Sequence, residues 1–198
     1  MQIEIIAAII IAVVGPMLLA LVKKHWEVQN KKGYIIDSLE ASMKIDEILI
    51  SIKNNTKADR VWVTQFHNGG SFYPTGKSIA KFSVTYEEAL PGSTILKDNF
   101  VNIPVTLFSK SLSFLYREGE ILLPNYAETL GYGLHTFFDA YKTKSSYMFA
   151  LKSIQGDFIG TLGVEYCNNI KNLSKDELDV LREQKVSLGT IIGEYLSK

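Results

Sequence analysis

The residue types best suited to chemistry gather in one stretch, FHNGGSFYPTGKSIAKFSVTYE, residues 66–87. Paired glycines sit beside His67, Asn68, Ser71 and Lys77. Glycine admits φ > 0 and lets backbone N–H groups close on a ligand, and a nearby lysine and histidine suit an anionic group. The alternative is an ordinary hairpin loop, with Asn68-Gly69 supplying the turn and His67 bonded locally. The candidate ligand contacts here are His67, Asn68, Phe72, Lys81 and Tyr86. A second group lies between 126 and 149, where aromatic side chains could line an apolar pocket. Most of these, Phe137 and Phe138 among them, are expected in the core. Tyr126, Tyr132 and His135 are the candidates for ligand contact, because each carries a polar tip.

Several chemistries lack their residues. There is no phosphate-binding P-loop, no Gly-x-Ser-x-Gly elbow and no zinc-protease helix. His67 and His135 are too far apart in sequence to argue a metal site, and Glu87-Glu88 reads as a solvent-facing strand end. The chain has one cysteine, Cys167, which cannot form an internal disulfide or build a structural zinc site alone. It reads as a small buried hydrophobe. Net charge is zero, so no basic surface points to nucleic acid. No catalytic residue is expected, and the residues identify no cofactor.

The elements that must position these groups follow from periodicity. Ile35, Leu39, Met43, Ile45, Ile48, Leu49 and Ile52 recur at helical spacing and predict a helix over 34–53, ending at Asn54-Asn55. Residues 58–68 (ADRVWVTQFHN) and 77–89 predict two strands, with a turn at Asn68-Gly69-Gly70. Pro104 is placed to open a helix running to Tyr116, with Gly119 as its stop, and EILLP reads as a short strand. Residues 126–141 read as loop plus a short helix that covers one face of the sheet. SSYMFALKSI, the turn Gln155-Gly156-Asp157 and FIGTLGVEYCN form an antiparallel hairpin. In the closing helix Ser174 and Glu177 form a capping box, and Leu178, Leu181, Leu188, Ile192 and Tyr195 make its apolar side. Gly189 and Gly193 either admit another helix closely or simply weaken this one.

The N-terminus is different in kind. Ile5 to Val22 reads IIAAIIIAVVGPMLLALV, without a polar side chain, and would span roughly 27 Å as a helix. A cleaved signal peptide would need a basic start and a small-residue cleavage site. Here the basic residues come afterwards, at Lys23, Lys24, Lys31 and Lys32. The run is therefore expected to be an uncleaved single-pass anchor, with the N-terminus outside and the C-terminal domain on the cytoplasmic side of the inner membrane. Trp26 and His25 would sit at the headgroups, and Gly15-Pro16 would kink the span. The expected organisation is an anchor over 1–22, a basic juxtamembrane helix or linker over 23–33, and one domain over 34–198. Gly33 is either a break or a weak spot in that helix.

The order helix, strand, strand, irregular middle, hairpin, helix is an α+β arrangement with a mostly antiparallel central sheet flanked by the first and last helices. Three segments, ILISIKNNTKADRVWVTQFH, YMFALKSIQGDFIGTLGVEY and LSKDELDVLREQKVSLGTIIGEYL, make residues 34–197 resemble a GAF domain. That resemblance implies first and last helices on one face of the sheet and a pocket on the other, under the middle segment. It also implies a small ligand such as a cyclic nucleotide, bilin, haem or metabolite, and dimerisation through the two helices. Asn169, Lys171, Asp176 and Glu177 echo the family's cyclic-nucleotide signature, but Leu173 stands where that signature has Phe, and capping already accounts for Ser174 and Glu177. Bilin attachment would need a cysteine at the pocket, and Cys167 matches no attachment motif. A redox cycle of the free-methionine-sulfoxide-reductase type uses several cysteines.

Three functions stay open on these residues. A membrane-anchored sensory or regulatory module would bind a small molecule and pass its signal to a partner protein or through the span. It should have an open pocket reached by His67, Lys81 or His135. A ligand-free, membrane-tethered dimerisation scaffold, such as a bacterial or phage accessory protein, should have that space filled by Phe72, Phe137 and Phe138. An enzyme should show a perturbed titratable pair within hydrogen-bond reach.

Overall fold

The structure, a computed structural model, describes residues 15–126 and 131–196. The chain divides into two units, Met1–Ala41 and Ser42–Lys198. Most of the predicted anchor lies outside the described residues. Its last part, Gly15–Val22, is helical, with Met17, Leu18, Leu19, Leu21 and Val22 exposed. Among the described residues no helix is long and apolar enough to cross a membrane.

Helix α1, Gly15–Thr56, passes through Gly33 without a break. One glycine costs a helix about 1 kcal/mol, too little to stop one of this length. The helix ends in a Schellman turn. Lys57 takes the left-handed conformation at φ 57°, and the Ala58 N–H donates to the Lys53 carbonyl at 3.2 Å.

The second unit is built on one six-stranded antiparallel sheet in the order β3-β2-β1-β6-β5-β4. Its strands are β1 Arg60–Ser71, β2 Ser78–Ala89, β3 Ile103–Pro104, β4 Glu120–Leu123, β5 Ser145–Lys152 and β6 Phe158–Tyr166. Between them lie a 3-10 turn, Val105–Phe108, then α2, Ser109–Glu118, and α3, His135–Ala140. Helix α4, Lys175–Leu196, closes the chain.

Two local expectations are corrected. The β1–β2 reversal is not at Asn68-Gly69-Gly70. β1 stays paired to Ser71, and the chain turns where Phe72 N–H meets the Lys77 carbonyl and Gly76 N–H meets the Phe72 carbonyl, both at 2.8 Å. Pairing with β2 overrides the local turn signal. The helix after Pro104 differs in its first turn: Pro104 pairs with Lys81 in β3 and caps the 3-10 turn Val105–Phe108, which runs directly into α2 at Ser109. Gly119 does stop α2, in the left-handed conformation at φ 83°.

Strand alternation sorts side chains onto two faces. On one, Val61, Val63, Phe149, Leu162 and Val164 pack against Ile45, Leu49 and Ile52 of α1 and Leu181, Leu188 and Ile192 of α4. The apolar face predicted for the first helix is thus only partly buried: Ile35, Leu39 and Met43 are exposed. On the other face, Trp62, Val84, Met148 and Ala150 lie under Leu96, Leu115, Leu134 and Phe138 of the middle segment. Gly189 admits a strand end rather than a helix, since a Cβ there would stand 2.3 Å from the Lys152 carbonyl oxygen. The capping box forms as predicted: Ser174 N–H donates to Glu177 Oε2 at 2.7 Å and Glu177 N–H to Ser174 Oγ at 3.2 Å. Ser174→Ala is expected to lower stability by about 1 kcal/mol, measured as a shift in denaturation midpoint at unchanged slope.

Candidate functional site

The face of the sheet under the middle segment carries polar groups in an apolar setting. At one end Arg60 and Glu165 are cross-strand partners with fully buried side chains that form an ion pair. Arg60 Nε donates to Glu165 Oε2 at 3.0 Å, and Nη2 donates to the same oxygen. Nη1 donates to the Thr94 carbonyl at 2.6 Å, and Nη2 also donates to Thr143 Oγ1 at 3.2 Å. The Thr143 hydroxyl in turn donates to Glu165 Oε2 at 3.1 Å. Burial alone would lower the Arg60 pKa, but the adjacent Glu165 carboxylate outweighs it and holds the guanidinium more firmly protonated than usual.

Further along this face a cavity of about 50 Å³ lies between Trp62, Thr64, Met148 and Thr161 of the sheet and Leu115, Leu134 and Phe137 above them. Trp62 lies flat across β6 because its cross-strand partner is Gly163. A Cβ on that residue would be 2.1 Å from Trp62 Cε2. Among the described residues, the buried side-chain polar atoms without a hydrogen-bond partner are Trp62 Nε1, Ser146 Oγ, Thr161 Oγ1 and Glu165 Oε1. The sheet register puts all four on this one face. Each such atom costs about 1–3 kcal/mol left unsatisfied. Apolar walls with a few convergent polar atoms are what a small-molecule site presents. As it stands the cavity admits only water-sized occupants, so a larger ligand requires the covering segment to move.

The predicted site residues fall into separate groups. His67 and Lys81 are cross-strand partners, and their position in the alternation puts them on the face that carries α1 and α4. His67 Nε2 shares a hydrogen bond with Ser83 Oγ at 2.9 Å. Tyr86 is on the same face, its hydroxyl 3.0 Å from Ser42 Oγ. A bulge on β2 at Thr85, the extra residue between the partners of Val63 and Thr64, inverts the phase of β2, so Val84 and Phe82 face the cavity while Tyr86 does not. Asn68 is exposed and Phe72 is half-exposed at the hairpin tip. Tyr126 and His135 do come together: the Tyr126 hydroxyl donates to Asp139 Oδ1 at 2.6 Å and lies 3.2 Å from His135 Nε2. His135 Nδ1 is 3.0 Å from Asp139 Oδ2. Tyr132 stacks edge-on against Phe114 at 5.1 Å. None of these eight side chains lines the cavity.

Other expectations resolve plainly. Glu87 and Glu88 are not a solvent-facing pair. Glu87 accepts the N–H groups of Leu96 and Lys97 at 2.9 and 2.7 Å, and Glu88 pairs with Lys53 at 3.2 Å. Of the residues expected to fill the pocket, Phe137 lines the cavity, Phe138 is buried on the inner side of the cover and Phe72 is remote. Cys167 is half-buried and burial pushes its thiol pKa up. Among the described residues no group of three or more His, Cys, Asp or Glu could hold a metal ion. The residues the sequence reading missed are Arg60, Trp62, Thr161 and Glu165. Their signal was polarity, or an indole N–H, at alternate positions of otherwise apolar strands.

Outside the cavity, Arg182 donates to both oxygens of Glu120 at 3.0 and 2.7 Å. These bonds hold the Glu120 carboxyl below the usual glutamate range. A depressed carboxylate adds stability above its unfolded pKa and loses it as pH falls through the folded value. Acidification below about pH 4.5 is therefore expected to remove about 0.5 kcal/mol through this pair. The loss should be absent in Glu120→Gln when the two are titrated side by side.

No protein-family model matches the chain, and no curated protein matches its sequence. Solved structures match its fold. The chain is similar to the phycocyanobilin-bound GAF domain from a cyanobacterial phytochrome, with 18% identity and a TM-score of 0.63 over 84% of this chain and 92% of that one. It is similar to a far-red cyanobacteriochrome photoreceptor, with 12% identity and a TM-score of 0.62 over 88% and 98% of the two chains. The blue-light absorbing form of the Thermosynechococcus elongatus PixJ GAF-domain matches with 14% identity and a TM-score of 0.62, over 80% and 88%. The chain therefore has a GAF fold. At these identities the likeness speaks for the fold and not for a shared ligand.

Proposed function

We propose that this chain is a membrane-anchored sensory module that takes a small molecule between the sheet and its covering segment and catalyses no reaction. The observation that carries this reading is the gathering of four partnerless buried polar atoms on the one face that also holds the cavity. A core selected only for stability pairs such atoms or replaces them with apolar ones. The neighbours named above include one bilin-bound domain, which makes an extended ligand a reasonable class here too. Covalent attachment is disfavoured, because Cys167 is the sole cysteine and its thiol is held protonated by burial. His67, Lys81 and Tyr86 take no part in this reading, while Tyr126, Tyr132 and His135 belong to the cover that must move.

The apolar run Ile5–Val22 would anchor the module, and its basic flank would keep the domain on the cytoplasmic side. Met43 and Ile50 stay exposed on α1, and in sequence Ile36 precedes them at heptad spacing, which suits pairing with a second copy. Movement of the cover would alter the sheet and, through it, that pairing. The smallness of the cavity favours a second reading, a dimerising scaffold without ligand.

Native mass spectrometry of the full chain, repeated under denaturing conditions, decides between them. A small mass retained natively and released on unfolding supports the sensor, and Thr161→Val should reduce its occupancy. A clean apo dimer, unchanged by Thr161→Val, sinks the sensor and leaves the scaffold.

A further inference from the structure

Beside this cavity lies an open groove of about 750 Å³, and the half-buried Leu112 of α2 is a wall of both. Its volume is in the range of small-molecule sites. Aromatic rings form its sides: Phe66 and Phe158 meet edge-to-face at 4.8 Å, and Tyr116 tilts against Phe158 at 6.1 Å. Tyr116 is 60% exposed, a large aromatic surface left in solvent. Arg117 is the sole charged residue on the groove wall. Its Nε donates to the Ser113 carbonyl at 3.3 Å, and among the described residues it forms no ion pair. Its remaining guanidinium donors, in a planar fork, suit a carboxylate in two-point contact.

We infer that this groove holds the anionic end of an amphipathic aromatic ligand, its carboxylate on Arg117 and its ring against Phe66, Phe158 and Tyr116. The inference rests on the sensory reading above and sharpens it. Leu112 stands between the headgroup in the groove and the inner cavity, where Trp62 Nε1 and Thr161 Oγ1 lack partners. A ligand long enough to displace Leu112 would meet a cation at one end and hydrogen-bonding atoms at the other. An aromatic groove without acid would also attract a cation through its ring faces; the charge of Arg117 opposes that and selects the anion.

The test is a charge series on one scaffold: biphenyl-4-carboxylate, biphenyl-4-methanol and biphenyl-4-methylamine, titrated calorimetrically into the full chain. The carboxylate should bind about tenfold tighter than the alcohol, the scale of one charge-assisted contact, and the amine weakest. Arg117→Gln should abolish the preference for the carboxylate and leave the affinity for the alcohol unchanged. Equal binding of the three, tightest binding by the amine, binding by none, or a preference that survives Arg117→Gln overturns the inference. The sensory reading fails on a different result, the absence of any co-purified mass. A neutral or cationic co-purified ligand would leave the sensor standing while removing the anion from the groove.

Discussion

Arg60→Ala is expected to destabilise the domain by about 3–5 kcal/mol, the cost of leaving one member of a buried ion pair uncompensated. Arg60 and Glu165 have no exposed side-chain surface, and Glu165 Oε1 already lacks a partner. Removing the guanidinium leaves the buried carboxylate with only the Thr143 hydroxyl and deprives the Thr94 carbonyl of its donor. Equilibrium urea denaturation would show the loss as a lower midpoint. Glu165→Leu should be comparably harmful because it strands Arg60. The double variant Arg60→Met with Glu165→Leu should recover most of the loss, since a well-packed apolar pair avoids the desolvation that the ion pair incurs. A loss under about 1 kcal/mol in Arg60→Ala would mean that water reaches this end of the covered face.

Gly163→Val is the second large effect. A Cβ on this residue would lie 2.1 Å from Cε2 and 2.2 Å from Cζ2 of Trp62, and a ring so placed cannot shift by tenths of an ångström to comply. The indole, 7% exposed, must leave its place on β6 and enter the cavity or the solvent. Overpacking of this kind costs about 1–3 kcal/mol and sometimes more. Trp62 emission is expected to shift to the red, read in a Trp26→Phe background because the chain has two tryptophans. Any small molecule held in the cavity should be lost with it. Adding Trp62→Phe, which shortens the ring system over Gly163, should restore part of the stability. Unchanged emission in Gly163→Val would show that the indole does not lie across β6.

Much of this protein was determined by short-range signals in the sequence. The Ser174–Glu177 capping box, the Gln155-Gly156-Asp157 turn between alternating strands and the Gly119 stop each depend on residues within a few positions of one another. They form as read. The α+β order follows from apolar periodicity, which survives any detail of packing, whereas the two helices on one face were implied by the GAF resemblance and are seen in the packing of Leu49 and Leu188 on the same side of the sheet. What tertiary structure alone decided was which side chains meet. His67 and Lys81 lie opposite the cavity because strand phase assigns them there, and Tyr86 joins them because of one bulge at Thr85. An extra residue flips every later side chain to the other face, and nothing local in FSVTYEE marks it. The hairpin tip moved past its glycines because cross-strand pairing to Ser71 outweighed the local turn preference. Arg60 and Glu165 are 105 residues apart and meet only because β1 and β6 pair at the centre of the sheet. The partnerless atoms of Trp62, Ser146, Thr161 and Glu165 come from β1 and from the β5–β6 hairpin, which lie far apart in sequence. Spacing cannot bring such residues to one face, because that convergence belongs to the register of the sheet.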